Sequence, residues 1–184
     1  MRSLLRKAVT GAAVLVLGSS STAMAQVGLT SNAATVALTA TKATSLTVTP
    51  NASTATLASI TDNSTANNFS AVSLTTAWNL TAGSSVQLVG WFATPAQALV
   101  NGADFIPSSK VEGRVGATAY APFTATVSGL GVAGGSLQLF SQSVAAANYL
   151  GTRTDQLDLR LNLTGTSAHA GDYLGTLNVQ AIVQ

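Results

Sequence analysis

GDYLGTLNVQAIVQ, at residues 171–184, alternates between apolar and polar side chains, and this is the most informative pattern in the chain. The apolar face of this alternation consists of Leu177, Val179, Ala181 and Val183, and only Ile182 departs from the pattern. A period of two is typical of a half-buried strand. The pattern predicts a strand at the edge of a sheet, and such an edge pairs with another chain unless something covers it. Assembly is therefore the first functional question that the sequence raises.

The same alternation recurs along the chain and is clearest at residues 156–164. The leucines expected to face the core there are Leu157, Leu159, Leu161 and Leu163. Shorter alternating segments lie at residues 34–40, 46–48, 72–80, 86–92, 110–115, 123–127 and 137–140. Many short strands separated by turn residues predict an all-β fold, here an immunoglobulin-like antiparallel β-sandwich forming one domain over residues 26–184. One short helix is expected at residues 95–101, because Thr94-Pro95 resembles a helix start and Gly102 a helix end.

Residues 1–25 have the features of a secretory signal peptide. A basic start precedes an apolar run at residues 8–17, and small side chains at Ala23 and Ala25 form a cleavage signature. The apolar run is about half the roughly 20 residues that a membrane-spanning helix needs. We expect the mature protein to begin at Gln26 and to be secreted to the periplasm, the cell surface or the medium without a stable membrane anchor.

The composition of the mature chain argues against a nucleic-acid partner and excludes sites that need cysteine. Without residues 1–25, five basic residues stand against six acidic ones, a formal charge of −1. Because the chain has neither a basic cluster nor arginines interleaved with aromatics, we expect no nucleic-acid partner. It has no cysteine, so it can form neither a disulfide nor a thiolate metal site.

The sequence offers little for catalysis. His169 is the only histidine and lies in a loop-like segment that suggests no converging partners. No Gly-x-Ser-x-Gly elbow occurs, although serines are abundant. The glycine-rich residues 129–135 lack the lysine and the strand-to-helix context of a phosphate loop, and they indicate a flexible hairpin. We therefore predict no enzyme and no bound cofactor.

Two further sets of side chains each have two interpretations. Asp155 and Asp158 can form a calcium site, but with Arg153 and Arg160 so close they are better explained as surface ion pairs worth about 0 to 1 kcal/mol each. The tryptophans can bind sugar by stacking. Trp78 shares its face with apolar neighbours and is expected in the core, which leaves Trp91 as the surface candidate.

The two ends of the chain resemble the spore coat U family and the archaic chaperone–usher pilins. ATVALTA at residues 34–40 leads into LTVT at residues 46–49, as the first strands of those proteins do. GDYLGTLNV at residues 171–179 is similar to their closing Gly-x-Tyr-x-Asp-Thr motif, with Gly175 in place of the aspartate. The cysteines that many of these proteins carry and their terminal aromatic residue are absent here, and the middle of the chain shows no resemblance.

The resemblance implies an incomplete sandwich that is completed by strand addition. A strand near residues 34–41 would be donated to a neighbouring copy through its plug residues Ala34, Val36, Leu38 and Ala40. The final strand would bind a periplasmic chaperone by strand addition, and an usher would be the second assembly partner. The first hypothesis is thus a structural subunit of a fimbria or surface fibre. The alternative is a self-complete secreted module for adhesion or carbohydrate binding, in which the same strand folds back and Trp91 meets a ligand. A secreted enzyme ranks last.

Overall fold

The computed structural model describes residues 37–65, 67–127 and 129–184 of the chain. Residues Met1–Ala40 and Thr41–Gln184 form separate units, and the fold below is that of the second. The described part contains eleven strands and no α-helix. The strands are β1 (Ser45–Pro50), β2 (Asn67–Asn68), β3 (Val72–Asn79), β4 (Ser85–Trp91), β5 (Leu99–Asn101), β6 (Asp104–Ile106), β7 (Val111–Val115), β8 (Ala121–Pro122), β9 (Ser136–Ser143), β10 (Leu150–Leu161) and β11 (Asn178–Val183).

The strands form two principal antiparallel sheets and one small hairpin. The first sheet has the order β1-β3-β10-β7-β8, with β2 paired to the end of β10, and the second has the order β11-β4-β9. Strands β5 and β6 pair separately. This is the all-β, sandwich-like architecture that the alternating segments predicted.

The strand order matches the immunoglobulin plan, with one position missing. In that plan one sheet is A-B-E-D and the other ends in C-F-G. Here β1-β3-β10-β7 takes the A-B-E-D positions, while β4 and β11 take C and F. Strand β9 pairs with the other side of β4, although it follows β7 along the chain. No described strand takes position G, so β11 is an edge strand within the part of the chain that the structure describes.

The core lies between the two sheets and follows the predicted parity. In β10 the side chains of Leu157, Leu159 and Leu161 are buried, and those of the intervening residues are not. Phe92 and Phe123 cross at its centre, with their rings edge to face and 5.2 Å apart. Because alternate residues of both sheets point inward, the interior is largely apolar. The charged pair of Arg153 and Asp155 lies on the inward face at its margin, where the Arg153 guanidinium is 4.3 Å from the centre of the Phe140 ring.

The prediction of a helix at residues 95–101 is wrong over its second half. A 3-10 helix spans Pro95–Gln97, and Leu99–Asn101 is strand β5. Leu99 pairs with Ile106 and both side chains are buried, so this apolar burial stabilises the extended backbone of β5. Gly102, expected to end a helix, has φ +60° and is the first residue of the two-residue turn joining β5 to β6.

We call the two ends of the sandwich the Ser45 end and the Pro50 end, after the first and last residues of β1. At the Ser45 end, Ser45 and Leu150 both pair with Asn79, and Val183 pairs with Val86, which follows the loop that joins β3 to β4. At the Pro50 end, Pro50 pairs with Leu74 and Asn178 with Trp91. Strand β1 runs away from the Ser45 end, and β11 runs toward it.

Candidate functional site

The predicted carboxyl-terminal strand exists and is an edge strand. Strand β11 pairs with β4 on one side, and no described strand pairs with its other side. Of the predicted apolar face, Leu177, Val179 and Ala181 are half-buried and pack against the core. Val183 lies on the same face but is 44% exposed at the Ser45 end. Ile182, which breaks the alternation, is half-buried opposite Gln87.

Strand β1 is the matching edge of the other sheet. It pairs only with β3 among the described strands, and its inward side chains, Leu46 and Val48, are half-buried. Strands β1 and β11 face each other across the open side of the sandwich. No described strand extends either sheet here, and the inward side chains of both edges, such as Val48 and Val179, are only half-buried.

A groove of about 520 Å³ opens between these two edges. Its floor consists of core side chains of β3 and β10, namely Val72, Leu74, Leu157 and Leu159. Val48 lines one rim, and Leu177 and Val179 line the other. The groove is therefore an apolar slot bounded on each side by a strand whose outer edge pairs with no other described strand, which is the arrangement that strand addition requires.

The groove continues at the Pro50 end into a second cavity of about 610 Å³. Phe69, Leu99 and Tyr173 line both spaces. One wall of the cavity is the segment after β1, which contributes Leu57 and Ile60, and the opposite wall is residues 168–174. A segment longer than one strand can thus lie between the two edges.

The buried Asn67 side chain holds the wall formed by the segment after β1. Its Oδ1 accepts from the Thr61 backbone N–H at 2.6 Å, and its Nδ2 donates to the carbonyl oxygens of Thr61 at 2.9 Å and Ser64 at 3.2 Å. Sequence reasoning missed this residue and the wall itself. In the sequence, the wall was indicated only by the weak alternation of Ala55 and Leu57 within a run rich in serine and threonine.

Charged side chains form three pairs on the first sheet, two on its outer face and one, Arg153 with Asp155, on the face that also carries Leu157. Arg114 Nε contacts Asp158 at 3.0 Å, Arg153 Nε contacts Asp155 at 2.6 Å, and Arg160 Nη2 contacts Glu112 at 2.6 Å. The ring of Tyr120 lies near the guanidinium groups of both Arg114 and Arg160. Each carboxylate thus has its own arginine, and no group of three metal-ligating side chains occurs within the described ranges.

His169 and the tryptophans are not brought together. His169 Nδ1 lies 2.7 Å from Asp104 Oδ1 on the surface, in the loop before the second cavity. Trp78 is buried and donates from Nε1 to the Asn148 carbonyl oxygen at 2.9 Å. Trp91 is half-buried, with Gly131 of the glycine-rich segment packed against its ring.

The predicted plug residues lie partly outside the described part of the chain. Ala34 and Val36 fall among residues 1–36, whereas Leu38 and Ala40 are described and exposed, Leu38 by 91%. Residues 37–40 belong to no strand. The predicted signal peptide at residues 1–25 also lies outside the described residues.

Comparison with known proteins adds no family. A scan of the chain against protein-family models gives no match, and a search of curated proteins gives none either. In the part of the chain that the structure describes, no helix is both long and apolar enough to cross a membrane.

Proposed function

We propose that this protein is a secreted structural subunit of a bacterial fimbria or surface fibre, assembled by strand donation. The observation that carries the proposal is the apolar groove between the β1 and β11 edges, whose floor consists of core side chains of the first sheet. A strand placed there would take the position that an immunoglobulin-like sandwich gives to its last strand. It would cover Val48, Val179 and their half-buried neighbours.

The donated strand is the segment near residues 34–41. Ala34, Val36, Leu38 and Ala40 share one face of an extended chain, so they enter the groove together while the backbone pairs with β11. Leu38 is 91% exposed, so burial in a neighbour's groove would remove a large apolar surface from water. A periplasmic chaperone and an usher remain proposed partners, because an open edge needs cover before assembly.

Chain reach favours a neighbour's groove over the subunit's own. The second sheet is antiparallel throughout, so an added strand that continues this pattern runs toward the Pro50 end. Residue 40 would then lie at that end, whereas β1 begins at the opposite one. The five Cα steps from Ala40 to Ser45 span at most about 18 Å, while the return along a seven-residue strand takes about 20 Å before the groove is crossed.

The test is deletion of residues 26–41 from the mature protein, followed by addition of a peptide of that sequence. We expect the truncated protein to aggregate or require a chaperone and to recover as a soluble monomer when the peptide is added, as measured by size-exclusion chromatography with light scattering. The matched control is the same peptide with Leu38→Asp, which should not rescue. A truncated protein that stays soluble and ignores the peptide would contradict strand donation.

A self-complete adhesion or carbohydrate-binding module is the second candidate. A strand parallel to β11 would run toward the Ser45 end and could turn directly into β1, so this orientation permits insertion into the subunit's own groove. The intact mature protein distinguishes the two. A stable monomer supports the module, and a ladder of oligomers that resists heat in detergent supports the fibre.

A further inference from the structure

The small sheet at the Pro50 end exposes a row of large apolar side chains. Val100 pairs directly with Phe105 in the β5–β6 hairpin and forms an isolated antiparallel bridge with Leu174. Directly opposite residues share one face of a sheet, so the three side chains form a continuous patch. Their exposed fractions lie between 36% for Val100 and 75% for Leu174. We call Val100, Phe105 and Leu174 the hairpin patch.

The surroundings of the hairpin patch are acidic. Asp104 adjoins Phe105 in sequence, Asp172 lies two residues before Leu174, and Asp62 accepts from the Ala168 backbone N–H at 2.8 Å. These are the three carboxylates without an arginine partner among the ion pairs of the described residues. Lys110, just before β7, is the basic residue at this end. The Pro50 end therefore carries an excess of negative charge.

The opposite end of the sandwich carries a second exposed apolar patch with a positive charge. Leu150 begins β10 at the Ser45 end and is 62% exposed, and Tyr149 beside it is also exposed. The ammonium group of Lys42 lies 6.0 Å from the centre of the Tyr149 ring. We call Lys42, Tyr149 and Leu150 the Leu150 patch. It matches the hairpin patch in being apolar and is opposite to it in charge.

Chain length brings these two patches together when a strand is donated. A donor segment lying antiparallel to β11 leaves the acceptor's groove at the Pro50 end, where Leu174 lines the groove. Only residues 41–44 then separate it from the donor's own β1, a reach of about 18 Å at most between Ala40 and Ser45. The donor's Ser45 end must therefore lie against the acceptor's Pro50 end.

We propose that the hairpin patch of each subunit docks on the Leu150 patch of the subunit that donates its strand. The partner is a second copy of this chain, and the inference rests on the proposed strand donation. The contact covers apolar side chains at both ends, and the carboxylates that have no arginine partner face Lys42. It is heterologous, because different surfaces of the two copies meet.

The test is competition on oligomers of the intact mature protein, using a free peptide of residues 26–41. The peptide competes for the groove but brings no Leu150 patch. Because each tenfold change in affinity corresponds to about 1.4 kcal/mol, losing one apolar contact is measurable. We expect Phe105→Ser or Leu150→Ser to lower by about tenfold the peptide concentration that dissociates half of the oligomers. If the two side chains touch across the interface, the double variant lowers it little further.

The control is Val132→Ser, which removes a side chain 50% exposed, close to the 53% of Phe105, but outside both patches. It should leave the midpoint unchanged. Circular dichroism confirms that each variant folds, and Val100→Ser replaces Phe105→Ser if that variant does not. Equal midpoints for all variants would overturn the patch contact while leaving strand donation intact. A protein that forms no oligomers, or oligomers that the peptide cannot dissociate, would overturn both.

Discussion

Strand β10 shows the consequence of side-chain parity at single residues. Leu161 is fully buried, while Asp158 on the opposite face pairs with Arg114, whose side chain is one third exposed. A lone carboxylate in an apolar core costs several kcal/mol, and an exposed ion pair contributes about 0 to 1 kcal/mol. Neighbouring positions in one strand therefore differ greatly in tolerance.

We predict that Leu161→Asp prevents folding and that Asp158→Ala changes the free energy of unfolding by less than about 1 kcal/mol. The first change buries a charge without a partner, and the second removes a pair at the surface. Urea denaturation followed by circular dichroism measures both. Equal losses at the two positions would show that the strand register is wrong.

Gly151 is required by its contact with the indole ring of Trp78. A Cβ atom on Gly151 would overlap the six-membered ring of that side chain. We predict that Gly151→Ala destabilises the protein by about 1 to 3 kcal/mol, because the buried ring must leave its position. Thr152→Ala, one residue along and solvent-exposed, is the control and should cost much less. The comparison is made by thermal unfolding, and equal effects would contradict the packing role.

Asn67 illustrates a residue that local pattern cannot identify. It lies in a stretch of serine, threonine and asparagine that reads as loop, and nothing near it in sequence distinguishes it from Asn63 or Asn68. Its role depends on burial beside β10, where it meets the Leu161 backbone. By contrast, the leucines of β10 were predictable, because their own alternation determines which face is buried.

At the scale of one element, β11 determines what the groove accepts. Val179 faces the groove and Gln180 faces away from it. We predict that Val179→Asp abolishes rescue of the truncated protein by the peptide of residues 26–41, since the incoming strand would bury the carboxylate. Gln180→Asp, the adjacent position on the solvent face, should bind the peptide as the parent does. Isothermal titration measures both affinities, and equal affinities would exclude β11 as the binding edge.

The connector after β4 shows why element type is harder to predict than element position. Thr94-Pro95 and Gly102 are found at helix ends, and Asn101-Gly102 is equally a hairpin turn. The choice depends on Leu99 and Ile106, which become buried only when β5 and β6 pair. That burial depends on contacts with the rest of the fold, so it cannot be predicted from residues 95–101 alone.

At the scale of the whole molecule, sheet order is the part that sequence reasoning could not supply. The alternating segments predicted most strands and both edges of the proposed site. They did not show that β1 and β11 face each other, because pairings such as β3 with β10 join residues more than 70 positions apart. The groove follows from that order, whereas the alternation placed the candidate plug residues on one face and the family resemblance suggested their role.

Strand donation needs a free amino end, which signal cleavage would provide. We predict that the exported protein begins at Gln26, because the small side chains of Ala23 and Ala25 fit a signal peptidase site. Mass spectrometry of the secreted protein measures its first residue. An exported form that keeps residues 1–25 would contradict both the export route and the free donor strand.

The opposite placement of the β1 start and the groove exit has a consequence for growth. A subunit that gives a strand at one end and receives one at the other forms a polar polymer, with unlike tips and no built-in length. Each added copy recreates the site that it fills, so elongation continues while monomer lasts. Length control must then come from a terminator that accepts a strand but donates none, or from the supply of subunits.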